Sequence, residues 1–297
     1  MQVLWSELDT RLLSPRLWSK FAPPVGGVFR STASGNPAIG FFDDFLNFGG
    51  LLATNDGLYH SEGNHYRSYQ TASCYLLNVA CSATPASVAP TSYGAISFNP
   101  TSGVVDNDTV SLAWGGNFNS PYGSFPFNVI PGMSKDLAFE CRIQVSSIAE
   151  TIGNVFVGLA GAAGVDPVAA AVPITQSDAF ATTQSLLGFG RLAAASTGAF
   201  GLYYERASGT TASVAGVATA VAATYIKLGF YWDAARQEVI PYIDGAKVAR
   251  SLQVAKATTG ATPWPNDYMT AVAGIMQTDG TTAQKLTMDW WACAQAV

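Results

Sequence analysis

Charge is what this sequence has least of. Only 12% of its 297 residues are charged, about half the fraction usual in globular proteins. The 15 Lys and Arg are scattered singly and the net charge is −5. No basic surface can form to hold a phosphate backbone, so direct nucleic-acid binding is not expected. Long apolar runs are missing too: the Ala-rich stretch from Val155 to Val172 is broken by Asp166 and Pro167. That leaves it short of the roughly 18 uninterrupted residues a spanning helix needs, and no membrane segment is expected. The N-terminal MQVLWSELDTR has no basic start followed by an apolar core, so a secretory leader is not expected and synthesis and assembly in a cytoplasm are. Four cysteines, Cys74, Cys81, Cys141 and Cys293, show neither CxxC spacing nor a dense framework. They read as reduced thiols packed as small core residues.

The usual signatures of catalysis are absent as well. His60 and His65 are the only histidines; with Glu62 they supply too few ligands for a zinc site, and no metal is expected. Asp43 and Asp44 are adjacent, so on a strand they point to opposite faces and cannot flank a glycosidic bond together. A Glu-x-Asp-x-Glu run and a Gly-x-Ser-x-Gly elbow are both missing. Asp106-Asn-Asp-Thr lacks the glycine and distal glutamate of a calcium loop and reads as an Asx-type turn. Gly188-Phe-Gly-Arg lacks the spacing of a phosphate cradle. From these absences the protein is expected to be a non-enzyme without a cofactor.

What the sequence does have is strand patterning. In Leu137-Ala-Phe-Glu-Cys-Arg-Ile-Gln-Val, the residues Leu137, Phe139, Cys141, Ile143 and Val145 alternate with Glu140, Arg142 and Gln144, which predicts a strand with one core face and one wet face. Asn154 to Leu159 is a nearly continuous apolar run, as in a strand covered on both sides. Further strands are expected over 186–190, 200–205 and 224–232. Asp244-Gly245 supplies the positive-φ pair of a tight hairpin between Val239–Ile243 and Ala246 onward. Pro241 cannot donate to a ladder and belongs at an edge or bulge. The last strand, 285–294, is expected to turn Trp290 inward and Trp291 outward. Residues 212–223 fit neither period and read as a loop or weak strand. The whole predicts an all-β antiparallel sandwich over 41–297 with an extended N-terminal arm over 1–40.

The arm begins with a short helix signal at Ser6-Glu-Leu-Asp and carries Trp5, Trp18 and Phe21, rings that are costly to leave in water. It either packs on its own domain or reaches onto a neighbouring subunit. Sparse charge leaves a neutral surface suited to contact with other protein copies, so a homo-oligomer is expected. Trp5, Trp18, Phe21, Trp264, Tyr268 and Trp291 are the candidate partner contacts, with Trp264 favoured because Pro263 and Pro265 hold its loop rigid.

Phe41-Phe-Asp-Asp-Phe-Leu, Asp136-Leu-Ala-Phe-Glu-Cys-Arg-Ile, Ile226-Lys-Leu-Gly-Phe-Tyr-Trp-Asp, Val239-Ile-Pro-Tyr-Ile-Asp-Gly and Met288-Asp-Trp-Trp-Ala-Cys-Ala-Gln together resemble a family of tailed-bacteriophage virion structural proteins built on a concanavalin A-like or jelly-roll sandwich. The resemblance implies a capsid decoration or cement protein on the capsid surface of the virion, contacting the major capsid protein and copies of itself. The same sandwich also implies an alternative, a lectin-like glycan-binding module of a phage tail or baseplate.

Overall fold

The structure, a computed structural model, describes residues 13–25, 28–32, 35, 38–43, 56–61, 64–70, 75–78, 95–100, 109–114, 126–148, 153–161, 185–192, 198–207, 211–253, 264–276 and 284–297. Nineteen strands lie among them, and no helix does. In chain order they are β1 (Phe21–Val25), β2 (Val28–Ser31), β3 (Ala38–Asp43), β4 (Asp56–Ser61), β5 (Asn64–Gln70), β6 (Tyr75–Asn78), β7 (Ile96–Asn99), β8 (Thr109–Trp114), β9 (Leu137–Val145) and β10 (Asn154–Ala160), then β11 (Leu186–Arg191), β12 (Ala199–Glu205), β13 (Ala212–Thr219), β14 (Tyr225–Asp233), β15 (Glu238–Ile243), β16 (Ala246–Lys247), β17 (Leu252–Gln253), β18 (Thr270–Met276) and β19 (Leu286–Ala296). The helix signal at Ser6, Trp5, and the Asp106 turn lie outside the described residues.

The strands form two large antiparallel sheets, and the protein is an all-β sandwich. The front sheet runs β16-β15-β14-β9-β19-β7-β6, with β17 also pairing β15 and β3 also pairing β19. The back sheet runs β13-β12-β11-β10-β18-β8-β5-β4, and β1 and β2 make a separate hairpin. Alternation builds the core between the sheets: Phe139, Cys141, Phe230, Trp232 and Cys293 from the front meet Val157, Leu159, Phe189 and Ile275 from the back. Each fully buried large apolar side chain of this kind is worth about 1.5–3 kcal/mol. Asp244 and Gly245 take φ of 48° and 77°, the pair of positive values a two-residue hairpin turn requires. Pro241 pairs with Phe230 on one side, and on its other side lies between the two short stretches where β16 and β17 attach.

Three expectations are sharpened or overturned. Residues 212–223, open to a loop or a weak strand, take the strand: they contain β13, the edge strand of the back sheet; its register shifts opposite Phe200 and Leu202, and Gly216 has φ 61°. That irregularity breaks the alternation a regular strand would show. Trp291 faces the core instead of solvent. Both Asp289 and Trp290 lie opposite Arg142, because the register shifts between Met288 and Trp290. One extra residue in β19 moves every later side chain to the other face, so Trp291 enters the inter-sheet core and Trp290 turns outward.

The third change is the wet face of β9, which is largely covered. Leu13, Leu17, Trp18 and Phe21 lie on the outer face of the front sheet against Ala138, Tyr231, Trp290 and Ala292. Residues 13–21 are therefore a strap over their own domain, and Trp18 and Phe21 are buried there. The division expected at residue 40 falls inside β3, which pairs with β19 along Trp291–Ala296.

Candidate functional site

The outer face of the front sheet has two halves, and the polar one is the candidate site. Register places Gln144 beside Tyr225 on one flank and Thr287 on the other, with Ser97 next beyond Thr287. One step along the strands Arg142 pairs with Lys227 and lies opposite the Asp289 bulge. Such a polar row arises because these positions alternate with the core residues Cys141, Ile143, Ile226 and Leu286.

Arg142 is the centre of the cluster. Its Nη1 donates to Asp289 Oδ2 in an ion pair, and its guanidinium carbon lies 4.2 Å from the centre of the Tyr225 ring. Stacking and pairing together fix the orientation of a side chain that is still 33% exposed, while its partner Asp289 is buried. Burial, with the nearby Asp289 charge, pushes the Tyr225 phenol up to about 12, so it stays protonated at neutral pH. Gln144 Nε2 donates to the Ala223 carbonyl at 2.7 Å, and Lys227 is half-buried beside Arg142. The Lys227 N–H donates to Asp244 Oδ1 at 2.9 Å, which ties this strand to the hairpin turn. Gln144, Thr287, Ser97 and Asp289 are buried, so the arrangement presents the partly exposed Arg142 and Lys227 as fixed donors beside the Tyr225 ring, a chemistry suited to hydroxyl-rich ligands.

Next along β9 comes Glu140, under the strap. Its carboxylate accepts from Ser14 N at 2.9 Å, from Ser14 Oγ, and from Trp18 Nε1 at 2.9 Å. Burial raises its pKa, while those bonds from Ser14 and Trp18 and the charge of Lys227 pull it back down. Opposite Glu140, Gly229 leaves room for the strap: a Cβ there would lie 2.5 Å from Leu17 Cδ1.

The expected contact rings fall elsewhere. Trp264 is buried, its Nε1 donates to the Val129 carbonyl at 2.9 Å, and its ring sits 5.5 Å from both Trp232 and Tyr204. The ring lies in the core instead of on a contact surface, because an indole with an internal acceptor is cheaper to bury than to expose. Trp18, Phe21 and Trp291 are likewise buried and offer no ring to a partner, whereas Tyr268 is 57% exposed. Asp43 is buried, and Asp44 lies outside the described residues. His60 and His65 are backbone register partners across β4 and β5. Sequence reasoning missed the Arg142–Asp289–Tyr225 cluster. Arg142 and Asp289 are 147 positions apart, and the bulge that unites them has no local sequence mark.

No family model matches the sequence, and no curated protein does. Solved structures do share the fold. An endo-1,3-beta-glucanase from Streptomyces sioyaensis aligns over 93% of this chain and all of its own, at 12% identity and a TM-score of 0.50. An endo-beta-1,4-glucuronan lyase from the fungus Trichoderma reesei aligns over 86% of this chain and 95% of its own, at 10% identity and TM-score 0.47. A carbohydrate esterase from Shiga toxin-encoding bacteriophage phi24B covers 78% of this chain and 90% of its own, at 15% identity and TM-score 0.42. These likenesses are to the fold.

The glucanase corrects the expectation that the protein is not an enzyme. An enzyme shares this fold, so missing linear motifs do not make the chain a non-enzyme. Register can bring together groups that sequence spacing keeps apart, as it does for Arg142 and Asp289.

Proposed function

We propose that this protein recognises a carbohydrate chain on the polar half of its front sheet, as a glycan-directed module of a phage particle. The observation that carries the reading is the Arg142 guanidinium, a third exposed and held between Asp289 and Tyr225 on the part of the face beyond the strap, where Gln144, Thr287 and Ser97 are buried around it. Preoriented polar groups on rigid strands lose little freedom on binding, and a sugar needs several such groups at once. The fold is used by carbohydrate-active proteins, which supports the reading by analogy only. The phage setting rests on the resemblance of the sequence to virion proteins.

A direct test titrates neutral and acidic oligosaccharides into the protein by calorimetry and follows the same mixtures for new chain ends. Binding that falls at least tenfold in Arg142→Ala supports the site, and new chain ends that vanish in the same variant extend the reading to catalysis. A panel with no binder defeats it.

Capsid decoration is the second reading, favoured by the 12% charge content. It would have to use surface other than Trp18, Phe21, Trp264 and Trp291, since those rings are buried; Tyr268 is the exposed one. Mass spectrometry of purified virions and co-sedimentation with heads test it, and a polypeptide absent from both defeats it.

A further inference from the structure

We propose that the strap occupies a second sugar subsite, centred on Glu140, and stands in for the ligand until a long glycan displaces it. The inference rests on the carbohydrate reading of the neighbouring polar half and deepens it. Glu140 is buried and accepts from a hydroxyl, a backbone N–H and an indole N–H, and all three donors come from the single segment Ser14–Trp18. A sugar ring offers the same thing to a carboxylate, several hydroxyl donors on one rigid body.

Beneath the strap the floor is aromatic. Trp290 stacks on Phe42 with ring centres 6.1 Å apart, and Tyr231 and Tyr242 belong to the same cluster. Rings of this kind present faces to sugar C–H groups as readily as to leucine. Trp290 Nε1 is buried with no hydrogen-bond partner among the described residues, a donor the strap leaves unused. The floor is continuous with the polar half: along β14 the outward positions run Tyr225, Lys227, Gly229, Tyr231, about 20 Å at the usual rise of a strand. Several linked sugars would fit that length. Gly229, between the two halves, raises no side chain to divide them.

Strap and glycan then compete for one carboxylate and one floor. Short sugars fill the polar half with the strap in place, and long ones must displace it. Because only the open fraction is competent for a long ligand, weakening the strap raises apparent affinity in proportion.

The experiment uses the full chain and the double variant Ser14→Ala with Trp18→Phe, which removes two donors and keeps the aromatic ring. Calorimetry with a disaccharide and a hexasaccharide of the best-binding glycan is expected to show unchanged disaccharide affinity and a hexasaccharide about tenfold tighter than wild type. In the unaltered protein, the hexasaccharide is expected to speed trypsin cleavage after Arg16 and Lys20, both exposed on the strap, while the disaccharide does not. That second arm needs no variant to fold. Equal affinities for both lengths in wild type and variant, or a strap no more cleavable with hexasaccharide bound, would overturn the competition and leave the polar site standing. Failure of every sugar to bind either protein would sink both.

Discussion

Along the same three strands the outer face of the front sheet changes character. At Ala138, Tyr231 and Ala294 it is apolar and lies under the strap; at Gln144, Tyr225 and Thr287 it is polar and the strap does not reach it. The difference follows from what each surface costs in water. An apolar sheet face left open would be a large exposed patch, so the chain covers it with Leu13, Leu17, Trp18 and Phe21 at about 1.5–3 kcal/mol per large side chain. The polar half has no such need: Gln144 and Thr287 are buried there, while Arg142, Tyr225 and Lys227 stay partly exposed. Glu140 lies at the border, a carboxylate on the wet alternation of β9 that the strap has captured.

The sharpest way to break that comparison is Glu140→Ala. It leaves three strap donors without an acceptor, and denaturant unfolding is expected to show a loss of about 3–5 kcal/mol. A loss under about 1 kcal/mol would mean that the strap is held by apolar contact alone. Glu140→Gln addresses the charge separately. Burial raises the Glu140 pKa in the folded protein, so the folded state keeps its proton where the unfolded chain has lost it. The associated stability is full below the unfolded value and falls as pH rises through the folded one. Wild type should therefore lose stability relative to Glu140→Gln as pH climbs above the ordinary carboxylate range. Glu205, also raised by burial, is common to both proteins and cancels.

Leu17→Ala comes next. Leu17 is buried where Gly229 makes room for it, and truncation should cost about 2–4 kcal/mol, with faster trypsin cleavage after Arg16. Across the border, Arg142→Ala should cost less, about 1–2 kcal/mol, because Arg142 is a third exposed even though its loss takes the ion pair from a buried Asp289. Arg142→Lys should recover part of that stability and little of the sugar affinity, since an ammonium keeps the charge and loses the planar fork.

How much of this could be read in the sequence depended on whether the signal was local. The β9 strand and the Asp244-Gly245 turn are written in neighbouring residues, and both appear where expected, while the cover over the wet face of β9 comes from a segment far away in sequence. The sandwich follows from such patterns added together. Trp290 and Trp291 were assigned to the wrong faces because a strict two-residue period cannot register the bulge at Asp289. Trp264 looked like a contact ring because its prolines are visible in sequence and its acceptor, the Val129 carbonyl, is 135 positions away. The site itself was illegible for the same reason: Arg142 and Glu140 look like an ordinary wet face until the strands and strap that meet them are known.

The smallest expected effect separates support from contact within the polar half. Tyr225 holds the Arg142 guanidinium on its ring face, at 4.2 Å, while its hydroxyl is buried without a hydrogen-bond partner among the described residues. Tyr225→Phe keeps the ring and removes an unsatisfied polar atom, so stability should stay level or rise by up to about 1 kcal/mol, with sugar affinity unchanged. Tyr225→Ala removes the platform and should lower affinity as Arg142→Ala does. If Tyr225→Phe alone abolished binding, the hydroxyl would have to reach the ligand directly. Arg142 would then have to swing off the ring when sugar arrives, and the polar half would be a surface that rearranges on binding instead of one already set.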